Sequence, residues 1–462
     1  MKSRFLVFFL FIVMAGPVYG SIAADTLKWV DFKELVLRNH PVMIKYQLVE
    51  ERAKSRMRQA WGNFEPGLSY NYDQKLFDGL NYYRFSSQEV TLPLWFGMEL
   101  KGNFAEASGY NLNPENKIPG EGLSNAGISL PLGKGLLMDK RRAALKQAMI
   151  FKDATQTEQL RILNDLMLQA GDAYAEWQSW HKISQLYEQA LELAQIRFKG
   201  VKDGFLGGDM PAIDTVEALT QLQQRLISLQ DRKLQQLTSL YELSTYLWRS
   251  ESEPFDPDKL VFIPQEDNVR LPEVRVEAVD NNPKLKAYDF KLQDLNIDKR
   301  LKAENLRPTI DLQLGLLNSG TGVFRNFNPV FWQNNNKVSL NVAFPLTFAS
   351  ARGELAEAKI KITETQIEQS LVRNELEVKL RQNRAELSTL QSQLALVNQS
   401  LQANQKLLEG ESMRFSLGES SLFLINARES KLLEIQEKMI ETEYKILKTH
   451  LKARWLTGGD AY

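Results

Sequence analysis

Leu387, Leu390, Leu394, Val397, Leu401 and Leu408 follow one another at steps of three, four, three, four and seven residues. This heptad spacing predicts a long α-helix packed as coiled coil, with Gln, Ser, Asn, Glu and Lys filling the other faces. No proline interrupts 132–210 or 346–462. Two long helical runs are therefore expected, each of about 65 residues or roughly 100 Å at 1.5 Å per residue. Other stretches alternate with a period of two and predict strands: "GLSYNYDQ" at 67–74, "EVTLPLWFGMELKGNF" at 89–104, "NAGISLPL" at 125–132, "TIDLQLGLL" at 309–317 and "KVSLNVAFPL" at 337–346.

These elements occur twice. Pro41 and Pro283 lie 242 residues apart, as do Pro66 and Pro308, and both intervals read as helices of one length. A proline suits the first turn of a helix, where its missing N–H is no loss. A proline also ends each helix where strand-like residues begin. Each strand set closes on an apolar-Pro-Leu corner, at Leu130-Pro131-Leu132 and Phe344-Pro345-Leu346. The first copy is 28 residues longer between its prolines, enough for one extra hairpin around Gln88 to Asn111. Each long helix then breaks at a glycine followed by an acid, Gly208-Asp209 and Gly418-Glu419, with Arg197-Phe198 and Arg414-Phe415 upstream. Glycine accepts the left-handed conformation that ends a helix, and the acid suits the next N-terminus. Returning helices are expected to about Trp248 and Trp455. The strands are expected at one end of the molecule and the glycine turns at the other.

The chain thus divides into a leader at 1–23, a first repeat at 24–249 with strands near 67–132, a proline-rich linker at 250–271, and a second repeat at 272–462 with strands near 309–346. The leader has a basic start, "MKSR", then "FLVFFLFIVMAG" and small residues suited to cleavage after Gly20 or Ala23. It reads as an export signal, because its apolar run is too short to cross about 30 Å of hydrocarbon. The net charge is zero, so nothing in the balance asks for nucleic acid. The chain has no cysteine, which excludes a structural disulfide, a thiol nucleophile and a lipidated cysteine.

Taken in order, these features resemble the TolC-type outer membrane efflux proteins. The likeness rests on the Asn-x-Pro helix starts at Asn39 and Asn281 and the strand-end prolines Pro131 and Pro345. It rests also on the corners "LPLGKGLLMDKRRAAL" and "FPLTFASARGELAEA" and the turn "RFSLGESSLFLINARE". It implies a mixed fold of α-helix and transmembrane β-strand, built from a duplicated helix–strands–long helix–helix unit. Three chains would share one β-barrel in the outer membrane of a Gram-negative bacterium. Their helices would continue it as a coiled-coil tunnel through the periplasm. The implied function is a passive exit duct. The implied partners are two further copies, outer membrane lipid, a periplasmic adaptor (membrane fusion) protein and an inner-membrane transporter of RND or ABC type.

The resemblance also places candidate site residues. Asp214, six residues after Gly208, matches a gate position where the family sets one carboxylate per protomer. Its counterpart after Gly418 is Leu424, so Asn426 and Arg428 are the nearest polar candidates in the second copy. Phe415 lies where an aromatic gate residue occurs. Gly208, Asp209, Gly418 and Glu419 mark the helix tips that would dock an adaptor. Plainer roles compete: Asp209 and Asp214 as helix N-terminal acids, Phe198 and Phe415 as packing residues, Arg197 and Arg414 as neutralisers of helix C-termini.

No catalytic set, cofactor site or metal site is legible. His40, His181 and His450 occur in different helices without metal-type spacing partners. "LGKGLL" at Leu132 lacks the frame of a phosphate loop. The chain is therefore not read as an enzyme. The alternative is a soluble periplasmic coiled-coil adaptor or scaffold, which leaves the two strand sets unexplained.

Overall fold

The computed structural model describes residues 27–250, 252–259, 264, 279–321 and 334–458. The expected leader and most of the expected linker lie outside the described residues. In chain order the main elements are α1 (Trp29–Asn39), α2 (Val42–Gly62), β1 (Gly67–Phe77), β2 (Leu80–Pro93), β3 (Glu99–Ser108), β4 (Leu123–Pro131), α3 (Lys140–Leu206) and α4 (Ala212–Ser244). A small hairpin of β5 (Trp248–Ser250) and β6 (Glu253–Pro254) follows. Then come α5 (Pro283–Glu304), β7 (Thr309–Ser319), β8 (Asn336–Ala343), α6 (Ala349–Ser416) and α7 (Leu422–Thr457). The duplication is visible as α2, strands, α3, α4 against α5, strands, α6, α7. The long helices α3 and α6 have 67 and 68 residues, matching the proline-free runs.

The two copies open their first helices differently. Asn282 caps α5, its side chain accepting from the Lys284 backbone N–H, with Pro283 in the first turn. Pro41 itself occupies the cap of α2 and no side chain caps that helix. His40 ends the preceding helix, its backbone N–H donating to Val36 O at 3.1 Å.

The heptad seam extends far beyond the leucines that reveal it. On α6 the covered positions run 351, 355, 358, 362, 365, 369, 372, 376, 380, 383, 387, 390, 394, 397, 401, 404, 408, 411 and 415. One extra four-residue step, at Leu376 to Leu380, interrupts the alternation of threes and fours, as a stutter does. Thr365, Gln369, Asn383, Asn404 and Glu411 occupy seam positions, which hides the pattern from a search for apolar residues alone.

Contacts divide the chain into two units. One comprises the residues up to His40, Asp172–Leu271 and Gln393–Lys445; the other comprises Pro41–Gly171, Pro272–Ser392 and the residues from Ile446. In the first, Phe32 stacks on Tyr174 at 5.2 Å, and Tyr174 Oη donates to Leu27 O at 2.9 Å. Farther along, Ile183, Tyr187, Leu229 and Leu433 form a buried cluster.

The second unit holds the sheet. Its strand order is β1-β2-β3-β4-β7-β8, antiparallel throughout. The extra hairpin of the first copy is real and starts earlier than expected, at Leu80. What reads as one alternating stretch at 89–104 is broken by Phe96 (φ 67°) and Gly97 (φ 76°), which reverse the chain between β2 and β3. In the same unit, Val279, Leu285, Leu376, Leu380 and Leu456 pack together. The Asn282 amide donates to Trp455 O and Leu456 O at 3.2 and 3.0 Å.

The two copies meet along β4 and β7, and the contact continues into the corner. Leu132 and Lys134 donate backbone hydrogen bonds to Ile310 O and Pro308 O at 2.7 and 2.8 Å. Gly133 between them is buried, and a Cβ there would lie 2.0 Å from Pro308 O. The clashing atom is backbone, so it cannot swing away. Gly133→Ala is expected to destabilise the protein by about 2–3 kcal/mol through overpacking, read as a lowered thermal midpoint of the detergent-solubilised protein.

Candidate functional site

The sheet has two chemically distinct faces, set by the pleat. Hydrogen-bond register aligns Leu92, Leu100, Ile128, Leu314 and Val338 in one row. The next row on the same face carries Leu68, Val90, Gly102, Ala126 and Leu316. Toward the strand ends Leu130, Leu312 and Leu340 extend this face, then Ile310 and Val342. Tyr70 and Phe104 border it on the far side, and Trp61, Trp95, Phe96 and Phe344 stand exposed near the other border. The opposite face presents Ser69, Asn71 and Asp73 on β1, Glu89 and Thr91 on β2, Lys101 and Asn103 on β3, Asn125 and Ser129 on β4, Asp311 and Gln313 on β7, and Ser339 and Asn341 on β8. Phe85, Leu123 and Leu317 are among its apolar exceptions. An apolar band edged by aromatics, backed by a polar face, is the pattern of a strand wall between lipid and water. Among the described residues no helix is long and apolar enough to cross a membrane.

The two glycine turns are built alike. After α3, Asp209 N–H donates to Gly204 O at 2.9 Å and Gly208 N–H to Phe205 O at 3.1 Å. After α6, Glu419 N–H donates to Arg414 O at 2.9 Å and Gly418 N–H to Phe415 O at 3.0 Å. Each is a six-to-one bond enclosing a five-to-two bond, the Schellman motif. Gly208 and Gly418 hold φ of 83° and 77°, and nothing surrounds either Cα within reach of an added Cβ. Gly208→Ala and Gly418→Ala are therefore each expected to cost only the left-handed backbone penalty, about 1 kcal/mol. Thermal unfolding of the two single variants should show equal shifts.

Behind the turns the four helix ends share one apolar cluster of Val201, Ala218 and Leu422, with Phe198, Met210 and Phe415 against it. The packing reading of Phe198 and Phe415 matches this placement. Next to the cluster lies a polar lock. Glu429 on α7 receives both terminal nitrogens of Arg197 on α3, one at 2.5 Å. Asn426 is 3% exposed and donates to Glu217 Oε1 on α4 at 3.2 Å. Arg225 on α4, also buried, donates to Ser430 Oγ at 2.9 Å, and burial holds its pKa below the ordinary guanidinium value. Two turns on, Glu437 accepts from Tyr187 Oη at 2.6 Å and pairs with Arg232 at 2.9 Å.

The sequence candidates therefore fall into different places. Gly208, Asp209, Gly418 and Glu419 are exposed at the turns, and Asp214 is half-exposed in the first turn of α4. Asn426 is sequestered inside the protomer. Arg428 faces Glu411, Nε to Oε2 at 3.8 Å, and Glu411 also accepts from Ser420. The two Arg-Phe pairs are not equivalent. Arg414 donates to Glu419 O at 3.2 Å, in the turn between α6 and α7. Arg197, eleven residues before its glycine, is instead the cation of the lock. Sequence reasoning missed Glu217, Arg225, Ser430 and Glu411. A signal existed for two of them: Arg225 and Glu411 sit at heptad seam positions, where a charge calls for a partner.

The histidines stand apart, and among the described residues no group of three or more His, Asp and Glu is placed to hold a metal. Burial lowers the pKa of His40, His181 and His450 below the ordinary imidazole value. The unfolded chain therefore takes up protons first, and stability is lost as pH falls from about 6.5 through the depressed values. The thermal midpoint should drop over that window, and His181→Gln should flatten the drop.

Comparison with known proteins follows the same lines. Residues 274–459 match the family model described as outer membrane efflux protein. Among curated proteins, none matches this sequence. Among solved structures, the outer membrane protein VceC of Vibrio cholerae superposes with a TM-score of 0.67 at 15% identity, covering 93% of this chain and 95% of its own. The CmeC outer membrane channel of Campylobacter jejuni gives 0.64 at 14% identity, over 93% and 87% of the two chains. The MtrE outer membrane channel of Neisseria gonorrhoeae, in its open state, gives 0.64 at 14%, over 93% and 88%. The chain has the fold of these outer membrane channels, and its residues 274–459 match the model of the outer membrane efflux protein family.

Proposed function

We propose that the chain is the outer-membrane exit duct of an efflux or secretion assembly and works as a homotrimer. The observation that carries this is the two-faced sheet with open edges. Among the described residues, strands β1 and β8 have each only one neighbour, and an open strand edge is not tolerated in hydrocarbon. Lipid on the apolar face and water on the polar face require closure by further copies. A second apolar stripe supports association. Ile360, Ile367, Leu371 and Val378 recur on α6 at steps of seven, four and seven, all more than 40% exposed, as a coiled-coil seam awaiting a partner helix does. In water such a sheet face would be an aggregation surface, which weighs against the soluble scaffold.

Conduction in this reading is passive, powered by an inner-membrane transporter of RND or ABC type. A periplasmic adaptor seats on the exposed turns at Gly208-Asp209 and Gly418-Glu419, where Leu206, Ile213, Leu417 and Phe423 offer apolar contacts. Asp214 carries the constriction, one carboxylate per copy. Phe415 and Asn426 brace it from inside the protomer, and Arg428 from the surface through its pairing with Glu411.

The test is the mass of the particle extracted from a purified outer membrane fraction. A particle of three protomers supports the duct. Single-channel recordings should then show Asp214→Ala losing part of its cation selectivity. A monomer recovered in the soluble periplasmic fraction would overturn the reading.

A further inference from the structure

The geometry points to a barrel of eighteen strands, six from each copy, closed where β8 of one copy meets β1 of the next. This rests on the trimeric duct reading and adds the strand count, the edge register and the bore. The extra hairpin β2–β3 belongs to the wall itself. Its outward side chains Val90, Leu92 and Leu100 continue the apolar rows of β4 and β7 without a gap. Its turn is anchored at the corner: Arg141 pairs with Glu99, and Trp95 stacks on Phe64 at 5.8 Å. A Cβ at Gly97 in that turn would meet Gly135 O at 2.8 Å, so turn and corner are in close contact.

Six is an even number, so β8 runs opposite to β1, and the seam between copies closes antiparallel like every other pair in the sheet. The register inside one copy sets the rest. A row perpendicular to the strands leaves β1 at Leu68 and reaches β8 at Asn336, six residues before Val342. Pairing the helix-proximal end of β1, Gly67, with that of β8, Ala343, sets Leu68 of the next copy opposite Val342, and each copy then shifts the row by six residues. Six residues at about 3.3 Å across six strands at about 4.8 Å give a tilt of about 35°. That is within the range of membrane barrels. Eighteen strands at this tilt make a backbone cylinder about 34 Å across, against about 22 Å for twelve. Small side chains such as Ser69, Asn71, Asn103, Ser129 and Ser339 line the water side, so the barrel is a wide vestibule. Selection of cargo then falls to the helical part of the duct, and cargo of polypeptide size passes the wall.

The chain has no cysteine, which makes a clean cross-linking test possible. Asn341→Cys is combined in turn with Ser69→Cys and with Asn71→Cys, neighbouring inward positions that allow for a register slip. Outer membranes carrying each double variant are treated with a mild oxidant and run on non-reducing denaturing gels. The expected result is a ladder of covalent dimer and trimer ending at three, strongest for 341 with 69 and absent in single variants. A ladder ending at two means twelve strands and overturns the proposal. Membrane-resident protein with no cross-link at either pair overturns it too, while leaving the duct reading intact. Absence of the protein from the outer membrane defeats the duct reading itself, and this proposal with it.

Discussion

Leu314→Arg should remove the protein from the outer membrane, whereas Gln313→Arg, one residue away, should leave assembly intact. Leu314 stands in the middle of the apolar face, between Ile128 and Val338. An arginine near the centre of the bilayer on the lipid side of a barrel costs about 2–4 kcal/mol. Three copies would each bear that cost, against a total stability of about 5–15 kcal/mol for an ordinary domain. Gln313 points to the opposite face, among Ser129 and Ser339, where a charge stays hydrated. The measurement is the amount of trimer resistant to mild detergent in outer membrane fractions of the two variants. Equal loss in both would mean that the sheet does not separate lipid from water, and the reading built on its two faces would fall.

Much of this was legible in the sequence because the duplication supplied its own control. Pro41 with Pro283, and Pro66 with Pro308, marked helices that the structure places at Val42–Gly62 and Pro283–Glu304. The long helices were legible because nothing in them breaks the backbone. Strands were harder. The stretch at 89–104 alternates straight through its own turn, which Phe96 and Gly97 make in left-handed conformations, the first rare for a non-glycine residue. The site was the least legible. Asn426, two residues beyond the position that matches Asp214, is buried in the protomer, whereas Asp214 reaches solvent. Which face of a helix turns inward depends on the register of three neighbouring helices. A single sequence shows that register only where a charge such as Arg225 or Glu411 interrupts an apolar seam.

The lock behind the turns is where the second large effect is expected. Arg197 and Glu429 are 27% and 22% exposed and share two charge-assisted hydrogen bonds, joining α3 to α7. Removing either partner leaves a half-buried charge without its mate, a loss of about 2–3 kcal/mol. Arg197→Ala and Glu429→Ala should each loosen the bundle near Asn426 and Arg225, which hold α7 to α4 through Glu217 and Ser430. In cells the expected phenotype is a leak: increased uptake of antibiotics too large for ordinary porins, with the trimer still present. Arg197→Met combined with Glu429→Met should recover much of the stability, because a matched apolar pair leaves no orphaned charge. If α3 and α7 must separate for the duct to open, the apolar pair removes the directional bonds that hold them and the leak persists despite recovered stability. If the lock serves packing alone, stability and tightness return together. Thermal midpoint and antibiotic uptake measured side by side on the three variants decide between these roles.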